Sequence, residues 1–333
     1  MSTLRKNISV VVLTYNEETN IGECLRSIKF DAPMFVVDSG SNDRTVNIAE
    51  AFGAVVVIHP YENHAAQWEW AIENLPIETP WILALDADFT LSPKLSERIR
   101  EELDRVPADV GGIYVRHLYR FAGGVIRFGG TKQYWLRIVR RGRARPDRGD
   151  LVDFRFVVQG RTLRWKEPVI EYNRKDDDIS VWIQKQDKFA LRLAVEEELR
   201  RRGMHCWSGV PSVWGNVDER FAWLRDRWLH LPLFVRAFLY GIYRYVVAGG
   251  FLDGRSGFLY HFLQGMWLRT LVDVKILEIR ALGLDGEQLG RFARLMLTTK
   301  TGSVGEVARL LAQDLACKEE PRKGASPVAV PTP

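Results

Sequence analysis

An α/β fold, with a mostly parallel sheet covered by helices on both faces and followed by a helical appendage, is the fold class that these 333 residues predict. Three observations carry it. The first hundred residues hold continuous apolar runs of strand length, such as ISVVVLT at Ile8–Thr14, and a strand apolar on both sides is buried on both faces. Helical patterns separate those runs, which is the alternation of a parallel sheet. Further on the composition shifts: residues 221–267 hold 13 of the 37 Phe, Trp and Tyr, and residues 220–282 carry nine Lys/Arg against four Asp/Glu, equal to the whole formal excess of +5.

After the first strand, Thr19 and Asn20 precede Ile21, Cys24, Leu25 and Ile28, spaced as one helix face. Met34–Asp38 (MFVVD) reads as a second strand, 43–52 as a helix closed by Gly53, and 54–58 (AVVVI) as a third strand. A helix over 64–75 aligns Ala65, Trp68, Ile72 and Leu75. A fourth strand follows at 81–85 (WILAL), and Ser92-Pro93 opens a helix bearing Leu95, Ile99 and Leu103. From Gly111 shorter segments at 113–118, 134–140 and 153–158 predict a mixed or antiparallel extension, with an Arg-, Gly- and Asp-rich loop at 142–150 and a long amphipathic helix at 179–202. The expected domains are 1–205, divided into halves 8–110 and 111–205, then a helical aromatic and basic region at 206–317 and a disordered tail at 318–333.

Composition excludes several classes. Cys24, Cys206 and Cys317 are too few and too scattered for a disulfide framework or a structural zinc site. The basic residues accompany long apolar runs instead of a polar groove, so no nucleic-acid role is expected. The polar start at residues 1–7 lacks the charged-then-apolar pattern of a secretory signal, and the expectation is a cytoplasmic protein.

Ligands of open α/β sheets bind beyond the carboxyl ends of the strands. Here those ends are polar: Thr14-Tyr15-Asn16-Glu17-Glu18 after the first strand, Asp38-Ser39-Gly40 after the second, and Asp86-Ala87-Asp88 after the fourth. Carboxylates gathered on one rim repel each other, and a divalent cation or a hydrogen-bonding ligand relieves them. Asp86 and Asp88 fall on one side of an extended chain, close enough to share a hard cation that keeps open positions for phosphate oxygens.

The series VVLTYNEETNIGECLRSI, FVVDSGSNDRTVNIA, AAQWEWAI and WILALDAD resembles the nucleotide-sugar half of family 2 glycosyltransferases, whose GT-A fold is Rossmann-like. WLRIVRRGRARP, VDFRFVVQGRTLRWKEPVIEYNRKD after it, and YRYVVAGGFLDGRSGFLYHFLQGMWLRTLVDVKILE resemble the bacterial subgroup that builds lipopolysaccharide core and exopolysaccharide. The resemblance implies a nucleotide-sugar donor and a divalent metal, Mg²⁺ or Mn²⁺. Thr14, Tyr15 and Glu17 would line the nucleotide pocket, with Asp38 near base and ribose, Asp86 on the ribose or diphosphate side, Asp88 on the metal and Gln67 beside the donor. Two departures stand out. Trp68 and Glu69 replace a basic residue and Asn, which shifts the diphosphate toward the metal or Arg137, Arg140 and Arg141. Phe154 replaces the Glu that serves as general base in the family's Asp-Glu-His-like or His-Glu-His-like triplet, leaving Asp153 or another group as the base, with Asp150 and Asp147 as lesser choices. Simpler roles compete: Asp38 as a turn cap, Gln67 as a surface residue, Asp153 as an ordinary strand residue.

The segment 228–251 is apolar but interrupted by Arg236 and Arg244, so it reads as interfacial helices whose aromatics meet the headgroup boundary and whose arginines meet an anionic membrane surface. The alternative is a second core with arginines reaching to water. The resulting expectation is an inverting, metal-dependent transferase acting on a lipid-linked glycan acceptor, peripheral on the inner face of the cytoplasmic membrane. A polyprenyl-phosphate sugar transferase and a catalytically weakened nucleotide-sugar-binding scaffold are the competing readings.

Overall fold

The computed structural model describes residues 7–130, 133–147, 155–204, 211–299 and 301–319. β1 (Ile8–Thr14), β2 (Met34–Asp38), β3 (Val55–Ile58) and β4 (Trp81–Asp86) form where the apolar runs predict strands. They pair in parallel in the order β3-β2-β1-β4. Helices α1 (Ile21–Arg26), α2 (Thr45–Ala51), α3 (His64–Asn74) and α4 (Pro93–Glu102) link them and cover both faces. Two of these helices are capped as their sequences require: Asn63 Oδ1 accepts from the Ala66 N–H, and Ser92 Oγ from the Leu95 N–H, with Pro93 behind it where no N–H is missed.

The sheet then becomes mixed. β5 (Phe89–Leu91), β6 (Val110–Phe121), β7 (Gly124–Ile126), β8 (Tyr134–Arg140) and β11 (Arg161–Glu171) complete nine strands in the order β3-β2-β1-β4-β8-β6-β11-β5, with β7 paired to β6. β8 runs antiparallel to both β4 and β6, β11 runs parallel to β6, and β5 antiparallel to β11. This is the GT-A-like mixed sheet that the sequence leads one to expect. β9 (Ala144–Pro146) and β10 (Phe156–Val158) form a separate hairpin-like pair. One side of the sheet buries Val10, Val12, Leu83 and Leu85 against α1, α2 and α4, and the other buries Val11, Leu13, Ile82 and Ala84 against α3.

β11 is not legible in the sequence, because register shifts against β6 at Arg161/Thr162 and Trp165/Pro168 break the period of two and its polar and apolar residues do not alternate cleanly. β5, three residues long, is too short to carry a pattern. The aromatic replacement at Trp68 is a core residue: it is fully buried and meets Phe156 edge-on, with ring centroids 5.6 Å apart.

The carboxyl-terminal region has its own core. α5 (Ile179–Arg201), α6 (Val217–Leu229), α7 (Val235–Ile242), α8 (Gly254–Tyr260), α9 (Leu268–Ala281), α10 (Gly286–Thr299) and α11 (Val304–Glu319) follow in order. Leu191, Val195, Val272, Ile276, Phe292 and Met296 pack α5, α9 and α10 together. Single π-helical turns at 243–247 and 261–267 extend α7 and join α8 to α9. The two arginines expected to meet lipid do not. Arg236 is fully buried, its Nε 2.9 Å from Asp273 Oδ1 and an Nη 2.7 Å from Glu197 Oε2. Arg244 lies inside against the Gly129 carbonyl and the rings of Tyr240 and Tyr260. An unpaired guanidinium costs several kcal/mol to bury, so partners decide its direction, and here the carboxylates are inside. Among the described residues no helix is long and apolar enough to cross a membrane.

Candidate active site

The carboxyl ends of β1 and β4 open into a cleft of about 520 Å³, closed on the far side by β6, β11, α5 and α8. Register places its residues. Leu13 pairs with Asp86 across β1 and β4, and Thr14 with Asp38 across β1 and β2. A two-residue turn, Ala87-Asp88, follows β4, and the Tyr172 N–H donates to the Asp88 carbonyl at 2.9 Å. On the other side Phe89 pairs with Glu171, which also pairs with Tyr119. The antiparallel return of β5 along β11 thus delivers Glu171 next to the Asp-Ala-Asp turn.

Of the residues named from sequence, Thr14, Tyr15, Glu17, Gln67, Asp86 and Asp88 line the cleft. Thr14 Oγ1 is buried there with no hydrogen-bond partner among the described residues, an acceptor and donor left for a ligand. Glu17 reaches Lys175 Nζ at 2.7 Å and accepts from Asn20 at 2.6 Å, tying the β1 loop to the segment after β11. Gln67 is buried and saturated: its Nε2 donates to the His59 carbonyl at 3.1 Å and to Ser39 Oγ at 3.3 Å, and its Oε1 lies 2.8 Å from His59 Nδ1. It holds the loops after β2 and β3 together. Asp38 stands outside the lining; buried, it accepts from the backbone N–H groups of Gly40 and Ser41 and from Ser41 Oγ at 2.9, 2.7 and 2.5 Å. That is the turn-capping geometry of an Asx motif.

Asp153 and Asp150 lie outside the described residues, as does Phe154. Asp147 is buried beside Arg155, whose carbonyl accepts its N–H at 2.7 Å, and does not line the cleft. Of the three arginines considered for the diphosphate, only Arg137 is in the cleft, with Nη1 3.6 Å from Asp86 Oδ2 and its guanidinium over Phe89. Arg140 turns to the Val110 and Pro107 carbonyls and covers Trp81, while Arg141 reaches the Glu78 carbonyl. Successive strand residues alternate faces, so Arg137 and Arg140 diverge.

Charge is unevenly compensated. Burial by itself would raise Asp86, but His64 Nε2 at 3.2 Å, then Arg137 and His117, outweigh it and hold Asp86 below the ordinary carboxylate range. Burial, then Glu171 and Asp86, push Asp88 well above that range. Burial also pushes Glu171 up to about 7, opposed by Lys185 and reinforced by Asp86. His117 Nε2 lies 3.2 Å from Glu171 Oε2. Two neighbouring carboxylates that resist ionisation are what a cation would relieve. Among the described residues no three His, Cys, Asp or Glu converge as a ready ligand set, so a cation held by Asp88 and Asp86 would complete its shell with water and ligand oxygens, in the manner of Mg²⁺.

Aromatic rings make the opposite wall. Tyr119 stacks with Tyr260 at 5.7 Å between centroids, and Phe121 touches both Tyr260 and Trp182. Gln264 Nε2 donates to Gln186 Oε1 at 3.2 Å beside them.

Fold and cleft define a class: an α/β protein with an acidic, aromatic-walled site at the carboxyl ends of its parallel strands, where such sheets bind ligands. Residues 9–172 match the family model described as Glycosyl transferase family 2, and the chain carries a domain of that family. Lipopolysaccharide core biosynthesis glycosyltransferase LpsC of Rhizobium meliloti is 29% identical over 158 residues, 46% of this chain and 58% of that protein. An uncharacterized glycosyltransferase of Rickettsia conorii is 40% identical over 98 residues, 29% of this chain and 34% of its own length. The chain therefore spans from a third to somewhat over half of these relatives. Among solved structures, the mannosyltransferase PcManGT of Pyrobaculum calidifontis, in complex with GDP-Man and Mn²⁺, is 14% identical with a TM-score of 0.44, covering 84% of this chain and 87% of that one. TarS 1–349 of S. aureus is 14% identical with a TM-score of 0.36, covering 94% and 92%.

Proposed function

We propose that this protein transfers a sugar from a nucleoside-diphosphate sugar to a lipid-linked glycan of the lipopolysaccharide or exopolysaccharide kind, with inversion, at the inner face of the cytoplasmic membrane. The observation that carries the reading is the carboxylate cluster Asp86, Asp88 and Glu171 at one end of a cleft inside the family 2 domain, facing an aromatic wall. The similarity to LpsC supports the acceptor class.

Asp88, with Asp86 behind it, would hold the divalent cation. Bound there, the cation would neutralise charge on the departing diphosphate. Arg137 and His64 keep Asp86 ionised and oriented. Thr14 offers a hydroxyl without a hydrogen-bond partner among the described residues, and Tyr15 a ring lining the cleft, for a nucleoside to contact. Glu171 takes the acceptor proton: it lines the cleft, is oriented by His117 at 3.2 Å, and has a proton affinity suited to accepting near neutral pH. The aromatic wall of Tyr119, Phe121, Tyr260 and Trp182 presents flat apolar faces to acceptor sugar rings.

The test is hydrolysis and transfer from a panel of nucleotide sugars with Mn²⁺ or Mg²⁺. One donor is expected to turn over in the wild type, and Asp88→Asn to lose cation-dependent donor binding. A wild type that binds nucleotide yet turns over none of the panel would leave the scaffold reading standing instead.

A further inference from the structure

The surface that α7, its π-helical extension and α8 turn to solvent is apolar. Phe238, Leu239, Ile242, Tyr243, Val246 and Val247 recur at intervals of one, three and four residues, a single helical stripe, and all are exposed, Val247 by 72%. Phe258 and Phe262 stack on each other in the neighbouring helical segment and extend it. Water-soluble surfaces rarely leave so many large apolar side chains together.

The two charges that this helix carries are turned inward by a built device. Asp273, buried on α9, receives both Arg236 and the Phe234 N–H, the latter at 2.6 Å. Phe234 is held at φ 65°, a conformation that costs of order 1–3 kcal/mol for a non-glycine residue. Strain is accepted here in order to enter the helix with its charge inside and its apolar stripe outside.

We infer that this stripe seats in the headgroup boundary of an anionic lipid bilayer. Charge decides between lipid and a second copy of the chain. Of the five arginines in residues 227–272, Arg236 and Arg244 are buried and Arg269 faces Glu197, while the one carboxylate, Asp253, already accepts from the backbone N–H groups of Arg127 and Phe128. Arg227 and Arg255 are exposed. A symmetric dimer would set Arg227 and Arg255 against their own copies with Asp226 as the one exposed carboxylate beside them, whereas anionic headgroups complement both. The stripe spans residues 235–247, about 20 Å of helix, too short for the ~30 Å of hydrocarbon and long enough to lie along its edge.

The geometry also places the bilayer beside the cleft. Tyr260 and Gln264 line the cleft while Phe258 and Phe262, two residues earlier in each case, point outward. One helix thickness, about 10 Å, therefore separates lipid from the aromatic wall. The docking stands on the surface alone; its purpose, presenting a lipid-anchored acceptor, rests on the transferase reading above.

The experiment is sedimentation of the full chain with phosphatidylcholine vesicles containing phosphatidylglycerol, for the wild type and the triple variant Phe238→Ser, Val246→Ser, Phe258→Ser. Loss of three immersed side chains is expected to weaken partition at least about a hundredfold. Nucleotide-sugar hydrolysis without vesicles should stay unchanged, which also shows that the variant is folded. A second variant, Arg227→Glu with Arg255→Glu, changes only exposed charge and should lose at least about tenfold on these vesicles. Vesicle binding equal to wild type in both variants overturns the inference, as does a wild type that ignores vesicles, or one that is a dimer converted to monomer by the triple change. Vesicle binding without any nucleotide-sugar turnover would uphold the docking and remove the transferase reading.

Discussion

Replacing Glu171 with Gln separates the proton-accepting role from the packing role of this side chain, because the amide keeps the shape and the contact with His117 but cannot ionise. In the folded protein Glu171 is pushed up from 4.5 to about 7, chiefly by burial. At 1.36 kcal/mol per pH unit, ionising it costs ~3 kcal/mol, and Asp88 beside it resists ionisation for the same reason. The sign follows from proton linkage: between the unfolded and folded values the native state binds more protons, so the contribution of Glu171 to stability is fully present below about pH 4.5 and is lost as pH rises to about 7. The variant escapes that loss. In a chelator, its melting temperature should match the wild type near pH 4 and exceed it by roughly 6–12 °C near pH 8, on the scale of about 2–4 °C per kcal/mol. Turnover should fall by about 10²–10⁴ with donor affinity little changed. Calorimetry at the two pH values and steady-state kinetics provide the readouts. A stability gain that does not grow with pH, or an unaltered turnover number, would refute the assignment.

Gln67→Ala removes three contacts among His59, Ser39 and the His59 carbonyl, leaving buried polar groups unpaired. It should destabilise by about 2 kcal/mol and raise KM for donor more than it lowers kcat, since the loops it joins lose their register. Chemical denaturation and donor titration check it, and equal effects on KM and kcat would argue against a positioning role. Arg236→Ala strands Asp273 and Glu197 in the interior and should destabilise by about 3–5 kcal/mol, measured by urea unfolding, whereas a loss under 1 kcal/mol would mean that water reaches the pair.

The parallel half of the sheet could be read directly because each strand is a continuous apolar run and each helix keeps its period against one layer, so local pattern and global burial agree. The Asp-Ala-Asp turn was readable for the same reason: it follows the last such strand. Glu171 was not, although its segment was in view, since two register shifts hide the strand that carries it and only pairing with the three-residue β5 brings it to Asp88. The appendage divides in the same way. Its aromatic and basic composition was plain, but the direction of Arg236 and Arg244 depends on Glu197, Asp273 and Gly129, which come from other parts of the chain.

Chain order alone was enough to establish the alternating α/β frame, the acidic strand tips and the family they resemble, all of which depend on neighbours within about ten residues. Only the folded molecule decided which carboxylates share a cleft, that Asp38 caps a turn, and which side of the carboxyl-terminal helices meets solvent. Those are outcomes of desolvation: a buried charge goes where a distant residue can pair with it, and no local pattern encodes that partner.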